Sequence, residues 1–132
     1  MLIVFGNIYT EITVPVDHLP GEGDVVIGGD HVMRPGGKGA NQALAAGRAE
    51  AKVAFVGMIG DDDDGRLATR HLRRAGVKVS GVGVADDQAT GIAFIMRGAD
   101  GARRTIVCPG ANQKIASDQV PDEILNACAY VL

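Results

Sequence analysis

The 132-residue sequence contains no tryptophan, and aromatic residues make up only 4% of it. It has two cysteines, Cys108 and Cys128, whose separation fits no metal-ligand pattern. We expect reduced, mostly buried thiols in a cytoplasmic protein, with a disulfide as the less favoured alternative. No apolar run approaches the roughly 20 residues that span a bilayer, and the first residues lack the features of a signal peptide. The sequence therefore predicts no membrane partner.

Basic residues are slightly outnumbered by acidic ones: 13 Lys and Arg against 16 Asp and Glu give a net charge of −3. Without a basic cluster, nucleic acid is not an expected partner. The hydrophobic fraction of 46% and the charged fraction of 22% are those of an ordinary globular protein. The length suits one domain with a core of its own.

Glycine is abundant instead, and one stretch surrounds a lysine with three of the 19 glycines, Pro35-Gly36-Gly37-Lys38-Gly39-Ala40-Asn41. Such a loop lets the backbone approach a bound group closely. The following run predicts a helix over Ala40–Ala51, with Asn41 as its N-cap. A cation, an amide and free backbone N–H groups then meet at a helix N-terminus, which suits a polyhydroxylated or anionic ligand. The alternative is a tight turn with a solvated lysine.

Two phosphate-binding motifs are excluded at this loop. A Walker A motif requires glycine where Val32 stands, and serine or threonine where Gly39 stands. A dinucleotide fingerprint that starts at Gly37 requires glycine in place of Gln42.

Short apolar segments alternate with helical ones along the chain. Leu2–Phe5 and Val53–Gly57 predict buried strands on either side of the first helix. Strand, helix and strand at this spacing indicate a parallel sheet, whose ligands bind beyond the carboxyl ends of the strands. Further helices are predicted over Gly65–Arg74 and Gln119–Ala127, before an apolar strand at Ala129–Leu132.

Two predicted hairpins interrupt this alternation. The first runs through the alternating segment Ile8–Val14 and returns through Val25–Ile27 towards Met33. The second joins Thr90–Met96 to Thr105–Cys108 across an Asp-Gly pair, which is a strong hairpin signal. We expect the two hairpins to form a small separate sheet.

Four consecutive acids, Asp61–Asp64, invite interpretation as a metal site. They precede a helix whose basic residues lie towards its end, so they also complement the helix dipole, at roughly 0.3–1 kcal/mol each. The helix-start role is favoured. His71 has no neighbouring cluster that indicates catalysis.

The stretch Gly36-Gly37-Lys38-Gly39-Ala40-Asn41-Gln42-Ala43 resembles the N-terminal signature of the ribokinase-like (phosphofructokinase-B) carbohydrate kinases. Further similarities are Gly57-x-x-Gly60-Asp61-Asp62-x-x-Gly65, Thr90-Gly91 before a strand, and Gly110-Ala111-Asn112 after one. The resemblance extends over essentially the whole chain. It implies the N-terminal part of the family's domain, less than half of a typical member.

The resemblance implies an α/β fold, a three-layer Rossmann-type parallel sheet with a small β-sheet lid, truncated after its N-terminal portion. We expect residues 1–132 to belong to one such domain. Residues 1–8, 38–89 and 113–132 are then the core, and 9–35 and 90–110 hold the lid strands.

Sugar-binding roles are implied for residues that match the family's motifs. Gly36 and Gly37 supply backbone contacts, and Lys38 and Asn41 hydrogen-bond sugar hydroxyls. The lid supplies a carboxylate and an apolar face, which correspond here to Glu11, Ala93, Ile95 and Val107.

The lid departs from the ribokinase pattern at two of these places. Ribokinases have aspartate where Glu11 stands and asparagine where Tyr9 stands. The longer carboxylate of Glu11 and the bulky ring of Tyr9 argue against ribose itself as the substrate. They leave another furanose, a ketose, a sugar phosphate or a nucleoside as alternatives.

The implied activity is transfer of the γ-phosphate of ATP to a sugar hydroxyl, with Mg²⁺. The family's catalytic base stands in a Gly-Ala-Gly-Asp loop, which this sequence lacks, together with the magnesium motif and the ATP pocket. Because phosphoryl transfer depends on positioning and charge stabilisation, we assign no catalytic and no metal residue and expect this chain alone to be inactive.

The expected partners are a small sugar and a second copy, since lids in the family often pair into a homodimer. Two alternatives remain open at this point. One is a naturally short, non-catalytic protein that binds sugar or pairs through its lid. The other is a general α/β module with an unrelated ligand.

Overall fold

The computed structural model describes all of residues 1–132. The strands are β1 (Leu2–Phe5), β2 (Tyr9–Val16), β3 (Val32–Gly36), β4 (Val53–Gly60), β5 (Lys78–Ala85), β6 (Gly91–Gly98), β7 (Arg103–Cys108) and β8 (Tyr130–Val131). The α-helices are α1 (Lys38–Arg48), α2 (Asp63–Arg74) and α3 (Asp122–Asn126), and short 3₁₀ helices cover Gly110–Lys114 and Ser117–Gln119. None of the helices has the length and apolar character needed to span a bilayer.

The predicted parallel sheet is confirmed. Its order is β5-β4-β1-β8, and every neighbouring pair is parallel. Leu2 of β1 lies between Val53 of β4 and Tyr130 of β8. We call this the core sheet.

Helices cover both faces of the core sheet, which gives three layers. Alternate residues of β4 point to opposite faces, as in any strand. Val53 and Phe55 pack in the cluster that includes residues of α1 and α2, whereas Ala54 and Val56 pack against Ile124 of α3. Each fully buried side chain of this size contributes about 1.5–3 kcal/mol, so β4 anchors both layers.

The second sheet, which we call the lid, has the order β3-β2-β6-β7. The β2–β3 and β6–β7 pairs are antiparallel. Between the pairs, β2 runs parallel to β6 from Tyr9 opposite Gly91 to Val16 opposite Gly98. The predicted separate sheet of two hairpins is therefore confirmed.

Several predicted boundaries were wrong. The strand predicted at Val25–Ile27 does not form: these residues belong to no strand, and Val25 and Ile27 are 90% and 86% exposed. The segment Val77–Val84, for which no element was predicted above, lies mostly in the single strand β5, whose pairing with β4 continues across a bulge. The strand predicted over Val53–Gly57 is longer than expected, since β4 continues to Gly60.

The helix ends also differ from prediction. α1 begins at Lys38 with Gly37 as its N-cap, so Asn41 lies inside the first turn and the predicted Asn41 cap was wrong. The final helix is shorter than predicted, because Pro121 stands at its N-cap with an extended ψ of 138° and only Asp122–Asn126 is α-helical.

Candidate functional site

The chain crosses between the core sheet and the lid four times: between β1 and β2, β3 and α1, β5 and β6, and after β7. Buried polar side chains hold two of these crossings. They fix where the lid stands over the carboxyl ends of β1 and β4.

Asp62 and Thr90 hold the crossing into β6. The backbone N–H and the hydroxyl of Thr90 donate to the Asp62 carboxylate at 2.7 and 2.6 Å. Asp62 also accepts from the Gly65 N–H at 2.8 Å, so it caps α2 as the acidic run predicted. The N–H of Gly60 donates to the Thr90 hydroxyl oxygen at 3.0 Å, which ties the end of β4 to the same group.

These hydrogen bonds also set the ionisation of Asp62. Partial burial raises the pKa of its carboxyl, but hydrogen bonds from Thr90 and Gly65 and the nearby Arg66 outweigh that effect. The net pKa of Asp62 is therefore lowered, which keeps the carboxylate charged at neutral pH.

Asn112 holds the crossing into β2. Its Oδ1 accepts from the N–H of Ile8 at 2.9 Å, and its Nδ2 donates to the carbonyls of Ile8 and Pro109 at 2.7 and 2.9 Å. Asn112 is 8% exposed, so water competes little for these bonds. The three motifs at Asp62, Thr90 and Asn112, separate in the sequence, thus meet at the base of the lid.

An open cleft of about 840 Å³ lies between the lid and the N-terminus of α1. The carboxyl end of β1 and the loop after it form its floor, and the inner face of the lid forms one wall. Polar groups reach the cleft from Asn7, Tyr9, Glu11, Lys38 and Gln42. This combination of apolar wall and converging polar groups is typical of small-molecule sites.

Glu11 is the carboxylate that lines the cleft. Its Oε1 accepts from the N–H of Gly37 at 3.1 Å, and its Oε2 lies 3.6 Å from Nε of Arg34 on β3. Gly36 makes this approach possible, because a Cβ at Gly36 would overlap the Glu11 carboxylate. One carboxylate is thus held against the glycine loop by a backbone donor and a partly exposed cation.

The N-terminus of α1 faces the same cleft. Gly37 adopts a φ of 102°, which favours glycine, and no side chain caps the helix. The first turn contains no acid, in contrast to α2, which has Asp63 and Asp64. The first backbone N–H groups of α1 therefore have no side-chain partner, and Lys38 adds a positive charge beside them.

The structure brings together six of the eight residues predicted to bind sugar, which line the one cleft: Glu11, Gly37, Lys38, Ala93, Ile95 and Val107. Gly36 and Asn41 lie next to it. They line a small gap under the lid, and Asn41 with Glu11 also lines a neighbouring hollow of about 370 Å³. Their predicted contacts with sugar remain predictions.

Sequence reasoning missed Gln42, Arg103 and Thr105, which also line the cleft. A signal for the last two was present, since Arg103 and Thr105 share a strand face with the predicted Val107 at a period of two. No local signal identified Gln42. Gln42, rather than Asn41, is the amide of α1 that lines this cleft.

The other chemistry-bearing side chains have structural positions. Asp61 and Asp63 pair with Arg66, which leaves no group of three His, Cys, Asp or Glu side chains placed to bind a metal ion. Both cysteines are free, as predicted, but Cys108 is exposed on the edge strand β7 and Cys128 is half-buried. The expectation of mostly buried thiols was therefore wrong for Cys108.

The sequence matches the family described as pfkB family carbohydrate kinase over residues 1–131. The ribokinase of Bacillus subtilis is 36% identical over 130 residues, which cover 98% of this chain and 43% of that protein. The ribokinase of Haemophilus influenzae is 31% identical over 115 residues, which cover 87% of this chain and 38% of that protein.

Solved structures show the same fold. The ribokinase of Giardia lamblia superimposes with a TM-score of 0.88 at 26% identity, over 98% of this chain and 40% of that one. The ribokinase of Cryptococcus neoformans in complex with ADP gives 0.83 at 32% identity, over 91% and 38%. The Arabidopsis thaliana ribokinase complexed with ribose and ATP gives 0.73 at 34%, over 84% and 36%. The chain therefore spans about two fifths of the length of the proteins it matches.

Proposed function

The chain belongs to the pfkB family of carbohydrate kinases, and on this basis we propose that it is the sugar-binding half and lid of an enzyme that transfers the γ-phosphate of ATP to a sugar hydroxyl. The observation that carries the proposal is the cleft in which Glu11, Lys38 and the uncapped start of α1 meet under the lid. Related ribokinases that hold ADP, or ribose and ATP, support the choice of co-substrate.

Each group in the cleft has a role that its chemistry suits. The Glu11 carboxylate accepts hydrogen bonds from two neighbouring sugar hydroxyls. The ammonium of Lys38 and the backbone at Gly36 and Gly37 donate to sugar oxygens, with Asn41 as a further donor. The apolar lid face, which includes Ala93, Ile95 and Val107, packs on the carbon face of the ring.

We propose that the core comprises residues 1–8, 38–89 and 113–132, and that residues 9–35 and 90–110 contain the lid strands. The crossings held by Asn112 and by Thr90 support these limits. The catalytic base and the ATP and Mg²⁺ sites are then supplied by the portion of the family's length that this chain does not span. Within this chain no side-chain group fits Mg²⁺, so we assign the metal no residue here.

Binding of sugars to the 132-residue chain tests the proposed sugar site directly. Isothermal titration calorimetry with a panel of pentoses, ketoses and nucleosides is expected to identify at least one ligand. Asn41→Ala is expected to weaken the binding free energy of that ligand by roughly 1–3 kcal/mol, through loss of a hydrogen-bond partner. Glu11→Gln and Lys38→Met are expected to have effects of the same size, because each removes a charged partner of a hydroxyl.

Lys52→Met is the matched control, because Lys52 lies at the opposite, amino-terminal end of the strands. An effect of Gln42→Ala larger than that of Asn41→Ala would replace Asn41 by Gln42 as the amide ligand. Absence of binding by every member of the panel would contradict a sugar-binding role for this chain. Catalysis is tested on the longest natural form of the protein, by ADP release in the presence of ATP, Mg²⁺ and the sugar identified.

We also propose a homodimer that pairs through the outer face of the lid. Four apolar residues stand in one row across all four strands of that face: Met33, Ile12, Phe94 and Ile106. Met33, Phe94 and Ile106 are 52%, 41% and 58% exposed. An apolar row of this kind fits a second lid better than it fits water.

The same row favours the second candidate, a non-catalytic protein that binds sugar or pairs with a full-length relative. The intact mass of the protein from its natural source separates the two. A mass of 13.7 kDa supports the non-catalytic alternative, and a mass two to three times larger supports the kinase.

A further inference from the structure

The inner face of the lid changes from apolar to cationic along its length. Between β6 and β7, Ala93 stands opposite Val107, and Ile95 opposite Thr105. The last pair before the turn is Arg97 opposite Arg103. At about 3.4 Å per residue, the α-carbon of Arg103 lies roughly 14 Å from that of Val107. The lining of the cleft therefore includes the positively charged Arg103, four residues along β7 from the apolar Val107.

Arg103 has no ion-pair partner, although it stands opposite a like charge. No carboxylate lies within 4.0 Å of Arg103 or of Lys38, and both line the cleft. Like charges directly opposite on neighbouring strands are unfavourable. The single carboxylate of the cleft, Glu11, already contacts the Gly37 N–H and Arg34. The cleft thus has a positive balance in a chain whose net charge is −3.

Protection of the sheet edge does not account for Arg103. Charged residues on an edge strand such as β7 do discourage pairing with other sheets. The adjacent Arg104 serves that role on the outer face, where its guanidinium contacts the carbonyl of Pro20. Arg103 points the other way, into the cleft.

We propose that Arg103, with Lys38 across the cleft, selects a sugar that already carries a phosphate monoester, and that Arg103 binds the phosphate. This inference rests on the proposed function and narrows its substrate class. The planar guanidinium forms paired hydrogen bonds with phosphate oxygens, which a neutral sugar does not offer. In this arrangement the sugar ring lies at Glu11 and the ester group at Arg103, since both residues line the same cleft.

Calorimetry on the 132-residue chain with matched ligand pairs tests this inference. The pairs are ribose with ribose 5-phosphate and fructose with fructose 6-phosphate, at low ionic strength. In at least one pair the phosphate ester is expected to bind at least tenfold more tightly than the neutral sugar. Raising the salt concentration is expected to reduce that preference, because charge pairs at an open cleft are screened.

Two variants locate the effect. Arg103→Gln, which keeps the length of the side chain, is expected to reduce the preference for the ester at least fivefold. Arg104→Gln, on the opposite face of the same strand, is expected to leave it intact. Inorganic phosphate alone is expected to shift the side-chain NMR signal of Arg103 and not that of Arg104.

The outcomes distinguish failure of the phosphate-binding inference from failure of the proposed sugar site. Equal affinities within both pairs would overturn the inference and leave the sugar site intact. An ester preference that survives in Arg103→Gln would also overturn it, because another group would then hold the phosphate. Failure of all four ligands to bind would overturn the inference, whereas the sugar site itself falls only if every pentose, ketose and nucleoside of the wider panel also fails to bind.

Discussion

The side-chain amide of Asn112 holds both backbone polar groups of Ile8, 104 residues away in the sequence. Ile8 is fully buried and directly precedes β2, so this contact sets the point at which the chain leaves the core sheet for the lid. A third bond, to the carbonyl of Pro109, places the end of β7 at the same point. Together with the Asp62–Thr90 contact, this buried amide fixes the position of the lid and with it the shape of the cleft.

Replacing this amide is therefore expected to destabilise the whole chain. Asn112→Ala leaves buried backbone groups of Ile8 without their partner, at a cost of about 1–3 kcal/mol. Urea unfolding monitored by circular dichroism measures the change. Asn126→Ala is the matched control, because Asn126 is exposed on α3 and makes no side-chain hydrogen bond. Equal losses in the two variants would show that Asn112 has no special role.

The Asp62–Thr90 contact predicts a dependence of stability on pH. The pKa of Asp62 is lowered in the folded state from its ordinary value of 3.8. Its contribution to stability is therefore fully present above that ordinary value and is lost as pH falls through the lower, folded-state value. Between pH 5 and pH 2, the unfolding free energy of Asp62→Asn is expected to fall less than that of the wild type.

At pH 7 the Asp62→Asn variant is expected to lose about 1 kcal/mol, the usual scale for a helix cap. Asp64→Asn is the matched control, since Asp64 lies in the same turn and its side chain makes no hydrogen bond or ion pair. Unfolding curves at several pH values provide the measurement. Parallel pH profiles for the wild type and Asp62→Asn would contradict the assignment.

Gly37 is expected to tolerate substitution much less well than Gly76, although both have positive φ. A Cβ at Gly37 would stand 2.5 Å from the carbonyl oxygen of Asn7, whereas a Cβ at Gly76 meets no atom within 4 Å. Gly76→Ala pays only the backbone strain, about 1–2 kcal/mol. Gly37→Ala adds a backbone collision to that strain.

Thermal unfolding of the two variants separates these contributions. Gly37→Ala is expected to have the lower midpoint. Domains somewhat smaller than this one lose roughly 4–8 °C for each additional 1 kcal/mol, which is the upper limit expected here. Gly37→Ala is also expected to weaken sugar binding, because the N–H that holds Glu11 moves. A midpoint for Gly37→Ala at or above that of Gly76→Ala would contradict the structure.

Association through the lid predicts that a charge in the apolar row dissociates the dimer. Phe94→Glu places a carboxylate at the centre of that row, between Ile12 and Ile106. Sedimentation equilibrium is expected to give a dimer for the wild type and a monomer for the variant. Val25→Glu is the control, because Val25 is 90% exposed outside either sheet. Monomeric wild-type protein at high concentration would remove the proposed interface.

The sequence by itself determined the order of elements, and its resemblance to the family predicted part of the lining of the cleft. Apolar runs identified β1 and β4, the Asp-Gly pair identified the turn between β6 and β7, and the acidic run identified the start of α2. These signals are local, because hydrophobic period, turn chemistry and capping act within a few residues. Six of the eight predicted sugar ligands line the cleft, and it was the resemblance to the family's motifs, not these local signals, that identified them.

Only the tertiary structure decided how these motifs meet. The contacts of Asn112 with Ile8 and of Asp62 with Thr90 follow from strand register between distant segments, which no local pattern encodes. The position of Arg103 in the cleft follows from the β6–β7 register, and the place of Gln42 follows from the way α1 packs on the core sheet. Side-chain direction in a sheet alternates with every residue, so register determines which groups a ligand encounters.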